Sequence, residues 1–182
     1  MAMPFMLGTS RLTTPPSPAD HVRGPRNAPL ILVEYGDYEC PYCRQAHLMM
    51  PALERRFAGE LAYVFRHFPV TTIHPQAEEA AEAAEAAGAR GEFWRMHDLL
   101  FGNQDALGFE NLIGYAKSLG IDSNEFANEL MERVHAKRVR DDFISGVRSG
   151  VNGTPTFFVN GMRFDGVLEL ETMTQALEYA RR

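Results

Sequence analysis

The chain has 182 residues, 45% hydrophobic and 23% charged, which is enough apolar material to bury a core of single-domain size and too much for general disorder. Its formal charge of −6 offers no basic stripe for phosphates, so nucleic acid is excluded as the expected partner. No run approaches the roughly 18 consecutive apolar residues of a membrane-spanning helix, so no membrane insertion is expected.

The opening residues, MAMPFML, are apolar but short. They have neither a preceding positive region nor a small-residue cleavage site, so they do not read as a secretory signal. The expected location is cytoplasmic, with an exported mature form left open. Prolines at positions 4, 15, 16, 18, 25 and 29, interleaved with Thr, Ser and Gly, mark residues 1–28 as an extended arm expected to pack loosely.

Leu30-Ile31-Leu32-Val33-Glu34-Tyr35 is a short β-forming run suited to a strand buried on both faces, and it ends at Gly36-Asp37. From Pro41 the period changes. Ala46, Met49, Met50, Leu53 and Phe57 recur at helical spacing, predicting a helix to about Ala58 that Gly59 stops. Leu61 to Phe68 is a second β-run, and two strands around one helix make a parallel βαβ unit.

Residues 73–150 read as helical almost throughout. Gln76 to Ala89 is rich in Ala and Glu, Phe93 to Phe101 continues with an aromatic face, and Asp122 with Glu125 resembles a capping box. Met49, Met50, Phe57, Phe93, Trp94, Met96, Leu99, Leu100 and Phe101 sit at helical spacing and are expected in the core. The β-signal returns at Thr156–Val159 and Met162–Phe164. Between them Asn160-Gly161 predicts a type I′ hairpin, because both turn positions need positive φ. A helix over about Glu169 to Ala180 closes the chain. The expected division is an arm at 1–28, one domain formed by 29–72 and 151–182, and a helical insertion at 73–150.

The only two cysteines stand together as Cys40-Pro41-Tyr42-Cys43. A disulfide there closes almost no loop and stabilises little, so the pair is read as chemistry. A thiol attacks a disulfide only as thiolate, and an ordinary cysteine is mostly protonated at neutral pH. Cys40 precedes the predicted helix and Pro41 occupies its first position, so the Cys40 sulfur faces unsatisfied amides and the positive end of the helix dipole. Cys43, one turn on and more sheltered, is placed to resolve a mixed disulfide formed at Cys40. Two other readings stay open. Cys40, Cys43 and His47 form a Cys-x2-Cys-x3-His zinc half-site, for which only a carboxylate or a distant histidine such as His67 or His74 could complete four ligands. The pair could also be buried and inert. No catalytic role is assigned to His67 or His74.

The string Glu34-Tyr35-Gly36-Asp37-Tyr38-Glu39-Cys40-Pro41-Tyr42-Cys43, with Gly153-Thr154-Pro155-Thr156-Phe157 downstream, resembles the DsbA-like branch of the thioredoxin superfamily. Phe65-Arg66-His67-Phe68-Pro69 and Phe93-Trp94…His97-Asp98 extend the similarity, which covers about Asp20 to the C-terminus. The resemblance implies an α/β chain, a thioredoxin fold with an inserted all-helical subdomain, acting as a protein disulfide oxidoreductase. It implies that Pro155 is a cis-proline facing the cysteines, and that the Thr154 backbone pairs an extended substrate. By base rates alone Pro155 reads as a proline opening a strand. The resemblance also places a buried acid at Glu34, which desolvation would fit to accept the Cys43 proton. Read from the residues alone, an edge or solvent-facing carboxylate at Glu34 stays open as the less favoured alternative, because strands buried on both faces rarely tolerate a charge.

The chain departs from exported DsbA by having Pro-Tyr rather than Pro-His between its cysteines. A tyrosine cannot become cationic, so a strongly oxidising pair is not expected. The expected substrates are proteins or glutathione-type thiols, with no bound cofactor, no metal and no particular redox partner specified. The rival is a non-catalytic thioredoxin-fold peptide-binding or zinc-stabilised module. A second is a glutathione-dependent reductase or isomerase.

Overall fold

The computed structural model describes residues 7–182, so the reading of the first six residues lies outside the described part. In chain order the elements are β1 (Leu7–Arg11), β2 (His21–Arg23), β3 (Leu30–Gly36), α1 (Pro41–Arg56), β4 (Leu61–His67), α2 (Ala77–Gly88), α3 (Phe93–Gly102), α4 (Phe109–Ser118), α5 (Ser123–Met131), α6 (Ala136–Arg148), β5 (Thr156–Val159), β6 (Met162–Phe164) and α7 (Leu170–Ala180). The six strands form one sheet in the order β1-β6-β5-β3-β4-β2. This is the thioredoxin-like arrangement of a mixed sheet covered by helices.

The parallel β3–β4 pair runs in register from Leu30↔Leu61 to Gly36↔His67, and β5 pairs antiparallel to the other side of β3. Both central strands are buried on both faces, as their near-continuous apolar sequence requires. The period of two assigns the faces. Leu30 and Leu32 join the core beneath α1, while Val33 and Tyr35 pack with Val64, Phe68 and Phe158 on the other face. Glu34 therefore points toward the α1 side. The β5–β6 hairpin turns at Asn160 and Gly161, with φ of +46° and +80°. Asp122 caps α5, accepting from the amides of Asn124 and Glu125 at 2.9 Å each. Five helices lie between β4 and β5. Among the described residues no helix is long and apolar enough to cross a membrane.

Residues 7–28 of the arm do not pack loosely. They supply both edge strands, β1 on β6 and β2 on β4. Between them Arg66, only 2% exposed, gathers the proline-rich stretch. Its guanidinium donates to Asp20 Oδ1 at 2.8 Å and Oδ2 at 3.0 Å, to the carbonyls of Thr14 (2.8 Å) and Pro15 (3.2 Å), and to the Tyr35 hydroxyl (2.9 Å). A proline-rich stretch outside the sheet ladder has free carbonyls, and a buried arginine needs acceptors, so each satisfies the other. A second buried polar cluster joins β2, β4 and α2: Glu85 bonds His21 at 3.0 Å and His67 at 2.8 Å. Burial would raise the Glu85 carboxyl, but the bonds from His21 and His67 overcome it and hold the group well below the usual carboxylate range.

Candidate active site

The site forms where β3 gives way to α1. Gly36 ends the strand, and the Asp37 side chain, almost fully buried, organises the turn. Its Oδ1 accepts the Glu39 amide at 2.8 Å, and its Oδ2 accepts the Val70 amide and His74 Nδ1, both at 2.8 Å. Gln104 of the helical segment donates to the carbonyls of Tyr38 (2.7 Å) and Cys40 (2.9 Å). These bonds leave Cys40 at the N-cap of α1 in an extended conformation, with Pro41 opening the helix. Of these groups, Asp37 carried a legible signal as an Asx-turn residue after Gly36. His74 and Gln104 carried none, because their partners are distant in sequence.

Both cysteines are free thiols and buried. The Cys40 thiol is pushed down to about 5. The Cys43 thiol donating to the Cys40 sulfur contributes most; burial opposes; the Thr154 side chain and the amides of Cys43 and Tyr42 assist. The amides at the start of α1 thus contribute, but less than the partner thiol. Cys43 is the converse. Burial, the donation of its proton to Cys40 and the nearby charge of Glu34 push its thiol far up, against a 3.4 Å contact from the Asp37 amide.

Glu34 is fully buried. Oε2 accepts the Tyr63 hydroxyl at 2.7 Å, while Oε1 has no hydrogen-bond partner. Burial pushes its carboxyl up to about 8 despite the Tyr63 bond. Across the site the Thr154–Pro155 peptide bond is cis, and the Thr154 carbonyl oxygen lies 3.4 Å from Cys40 Sγ. A cleft of about 230 Å³ beside this contact is lined by Tyr42, Thr154, Pro155, Phe157, Phe164 and Leu168.

The structure brings Cys40, Cys43, Glu34, Thr154 and Pro155 into one neighbourhood. The Cys-x2-Cys-x3-His cluster does not assemble. Among the described residues neither cysteine belongs to a group of three potential metal ligands, and His47 instead clusters with His97 and Asp98.

The family model described as Thioredoxin matches residues 16–179. The chain belongs to the thioredoxin family. Its fold is DsbA-like: it superposes on Bacillus subtilis BdbD with a TM-score of 0.82 at 24% identity, covering 89% of this chain and 92% of that one. A thioredoxin-like oxidoreductase from Silicibacter pomeroyi gives 0.79 at 27% identity over 91% and 94% of the two chains, and Wolbachia pipientis α-DsbA1 gives 0.78 at 20% over 91% and 92%. Curated relatives carry a different name. A Na(+)/H(+) antiporter NhaA 1 of Salinispora arenicola is 47% identical over 161 residues, 88% of this chain but 24% of the antiporter. An NhaA antiporter of Herminiimonas arsenicoxydans is 45% identical over 90% of this chain and 26% of its own length. This thioredoxin-family chain thus spans about a quarter of those relatives.

Proposed function

We propose that this chain is a thiol–disulfide oxidoreductase that exchanges its Cys40–Cys43 pair with protein or small-thiol substrates. One observation carries the reading: two neighbouring thiols are driven in opposite directions, Cys40 down to about 5 and Cys43 far up. That asymmetry suits one sulfur to attack and leave as an anion, and the other to hold a proton until it is removed.

In the reducing direction the Cys40 thiolate attacks a substrate disulfide, forming a mixed disulfide and releasing one substrate thiolate, which takes a proton from water. Cys43 passes its proton to Glu34 in the ionised fraction of that group, about one tenth at pH 7 for a value near 8, and attacks the Cys40 sulfur. The second substrate thiolate leaves, and the two electrons end on the substrate while the pair becomes a disulfide. In the opposite direction a substrate thiolate attacks Cys40 and Cys43 departs as thiolate. Glu34, mostly protonated at neutral pH with its value near 8, then returns the proton, and a second substrate thiolate attacks the substrate sulfur of the mixed disulfide, forming the substrate disulfide and releasing the Cys40 thiolate. Thr154 and Pro155 are the proposed substrate-binding residues, flanking the attacking sulfur along the cleft. Residues 29–72 and 151–182 are assigned the redox unit, and 73–150 the inserted helical cover.

Ion exchange, as named for the antiporter relatives, needs membrane-spanning helices, which the described residues lack. The shared quarter is therefore assigned thiol chemistry rather than transport. Cys40→Ser is expected to abolish both insulin reduction and dithiol oxidation, and Cys43→Ala to leave a trapped mixed disulfide. Full turnover by Cys40→Ser overturns the proposal.

A further inference from the structure

One cluster outside the dithiol combines metal-ligand side chains with unsatisfied valence. His47 lies one turn beyond Cys43 on α1, and His97 and Asp98 are adjacent on α3. The two imidazole rings lie 5.3 Å apart between centroids, and one ligand atom from each of the three residues falls within 4.8 Å of the others. His97 is 0% exposed. Its Nδ1 is bonded to the Tyr38 hydroxyl at 3.0 Å, but Nε2 is buried with no partner, and so is Nδ1 of His47. Buried polar atoms are nearly always paired, so two orphaned imidazole nitrogens in one cluster require a reason. The Asp98 carboxylate stands 4.0 Å from His47 Nε2 and is half exposed, which provides an entrance.

We propose that His47, His97 and Asp98 form a binding site for a first-row divalent metal of the zinc type, distinct from the cysteine pair. Two imidazoles and one carboxylate are a borderline N/O donor set, and three protein ligands leave a fourth position for water. Burial holds both imidazoles below their ordinary value, so their lone pairs are free at neutral pH. A tetrahedral site with metal–nitrogen distances of about 2.1 Å needs ligand atoms about 3.4 Å apart. The partly exposed His47 and Asp98 side chains are able to close that gap onto the fixed His97. Arg23 sets the affinity. Its guanidinium donates to Asp98 Oδ1 at 2.9 Å, lies 3.8 Å from Glu54 Oε1 and sits over the Trp94 ring at 4.5 Å. It is thus a resident cation that a metal must tolerate beside it. Bound metal would clamp α1, which carries Cys43 and is capped by Cys40, to α3.

The test uses the full chain with the Cys40–Cys43 pair oxidised, so that no thiolate competes for metal and the outcome is independent of turnover. Zinc is titrated by calorimetry and against a chromogenic chelator. The fluorescence of Trp94, the single tryptophan, whose ring lies 5.1 Å from His97, is followed in parallel. One equivalent should bind. His47→Gln and Asp98→Asn should each weaken binding by at least about tenfold, since even outer-shell partners are worth that much. Arg23→Gln should tighten it by several-fold, because a neighbouring positive charge is removed. That gain is not expected of a residue with a merely structural role. Circular dichroism checks that each variant is folded. The proposal is overturned if the oxidised chain takes up no zinc at about 100 μM free metal, or if His47→Gln and Asp98→Asn bind as the unmodified chain does. In either case His97 Nε2 is simply an N–H facing the surrounding aromatic rings.

Discussion

Replacing Cys43 by Ala removes the largest influence holding the Cys40 thiol near 5, the Cys43 S–H donated to the Cys40 sulfur. Hydrogen bonds to charged groups are worth about 1.5–3 kcal/mol, and a thiol is a weak donor, so the lower end applies. At about 1.4 kcal/mol per pH unit, the Cys40 midpoint should rise by about one unit in Cys43→Ala. The consequence depends on pH. At pH 5 the unmodified chain is about half thiolate and the Ala variant about one tenth, so alkylation of Cys40 slows about fivefold; at pH 8 both are ionised and react at nearly equal rates. Cys43→Ser keeps a donor at the same position and should titrate close to the unmodified chain. The assay is the rate of iodoacetamide modification across pH 3.5 to 9. It is interpretable because Cys43 itself is buried with its thiol pushed far up. If the Ala and Ser variants titrate together, or the unmodified chain has its midpoint in the ordinary thiol range, the account of the thiolate is wrong.

Glu34 is raised to about 8, so its contribution to stability is fully present below the ordinary carboxylate range and is lost as pH rises toward 8. Across that window the chain should lose about 1.4 kcal/mol per pH unit relative to Glu34→Gln in urea unfolding; parallel pH dependences would refute burial of an ionisable Glu34. Arg66→Met leaves the buried Asp20 carboxylate unpaired, for an expected loss of about 3–5 kcal/mol. Protease sensitivity should appear in the proline-rich arm, and a loss under about 1 kcal/mol would remove Arg66 as its anchor. A Cβ at Gly146 would stand 2.7 Å from Phe68 Cδ2 and 3.0 Å from Tyr35 Cδ1. Gly146→Ala should therefore destabilise by about 1–3 kcal/mol through overpacking, measured by thermal unfolding, while leaving Cys40 reactivity unchanged.

Local physics was legible in the sequence. The apolar run at Leu30–Tyr35, the helical spacing from Ala46 to Phe57 and the Asn160-Gly161 turn each depend on neighbours within a few residues. They place Cys40-Pro41-Tyr42-Cys43 at a strand-to-helix junction without reference to any distant group. What the sequence left open, or misjudged, depended on distant groups. The arm read as loose because proline spacing says nothing about Arg66, 46 residues beyond Asp20, or about the free edges of β6 and β4. The two readings of Glu34 were separated by Tyr63 and the helical cover, since desolvation is a property of everything packed around a group. His47, in sequence a partner for the cysteines, turned toward His97 and Asp98 once α1 and α3 met. Thr154 reached Cys40 across 114 residues. Covalent spacing encodes conformation, whereas charge state and ligand geometry are decided by contacts that only the closed fold creates.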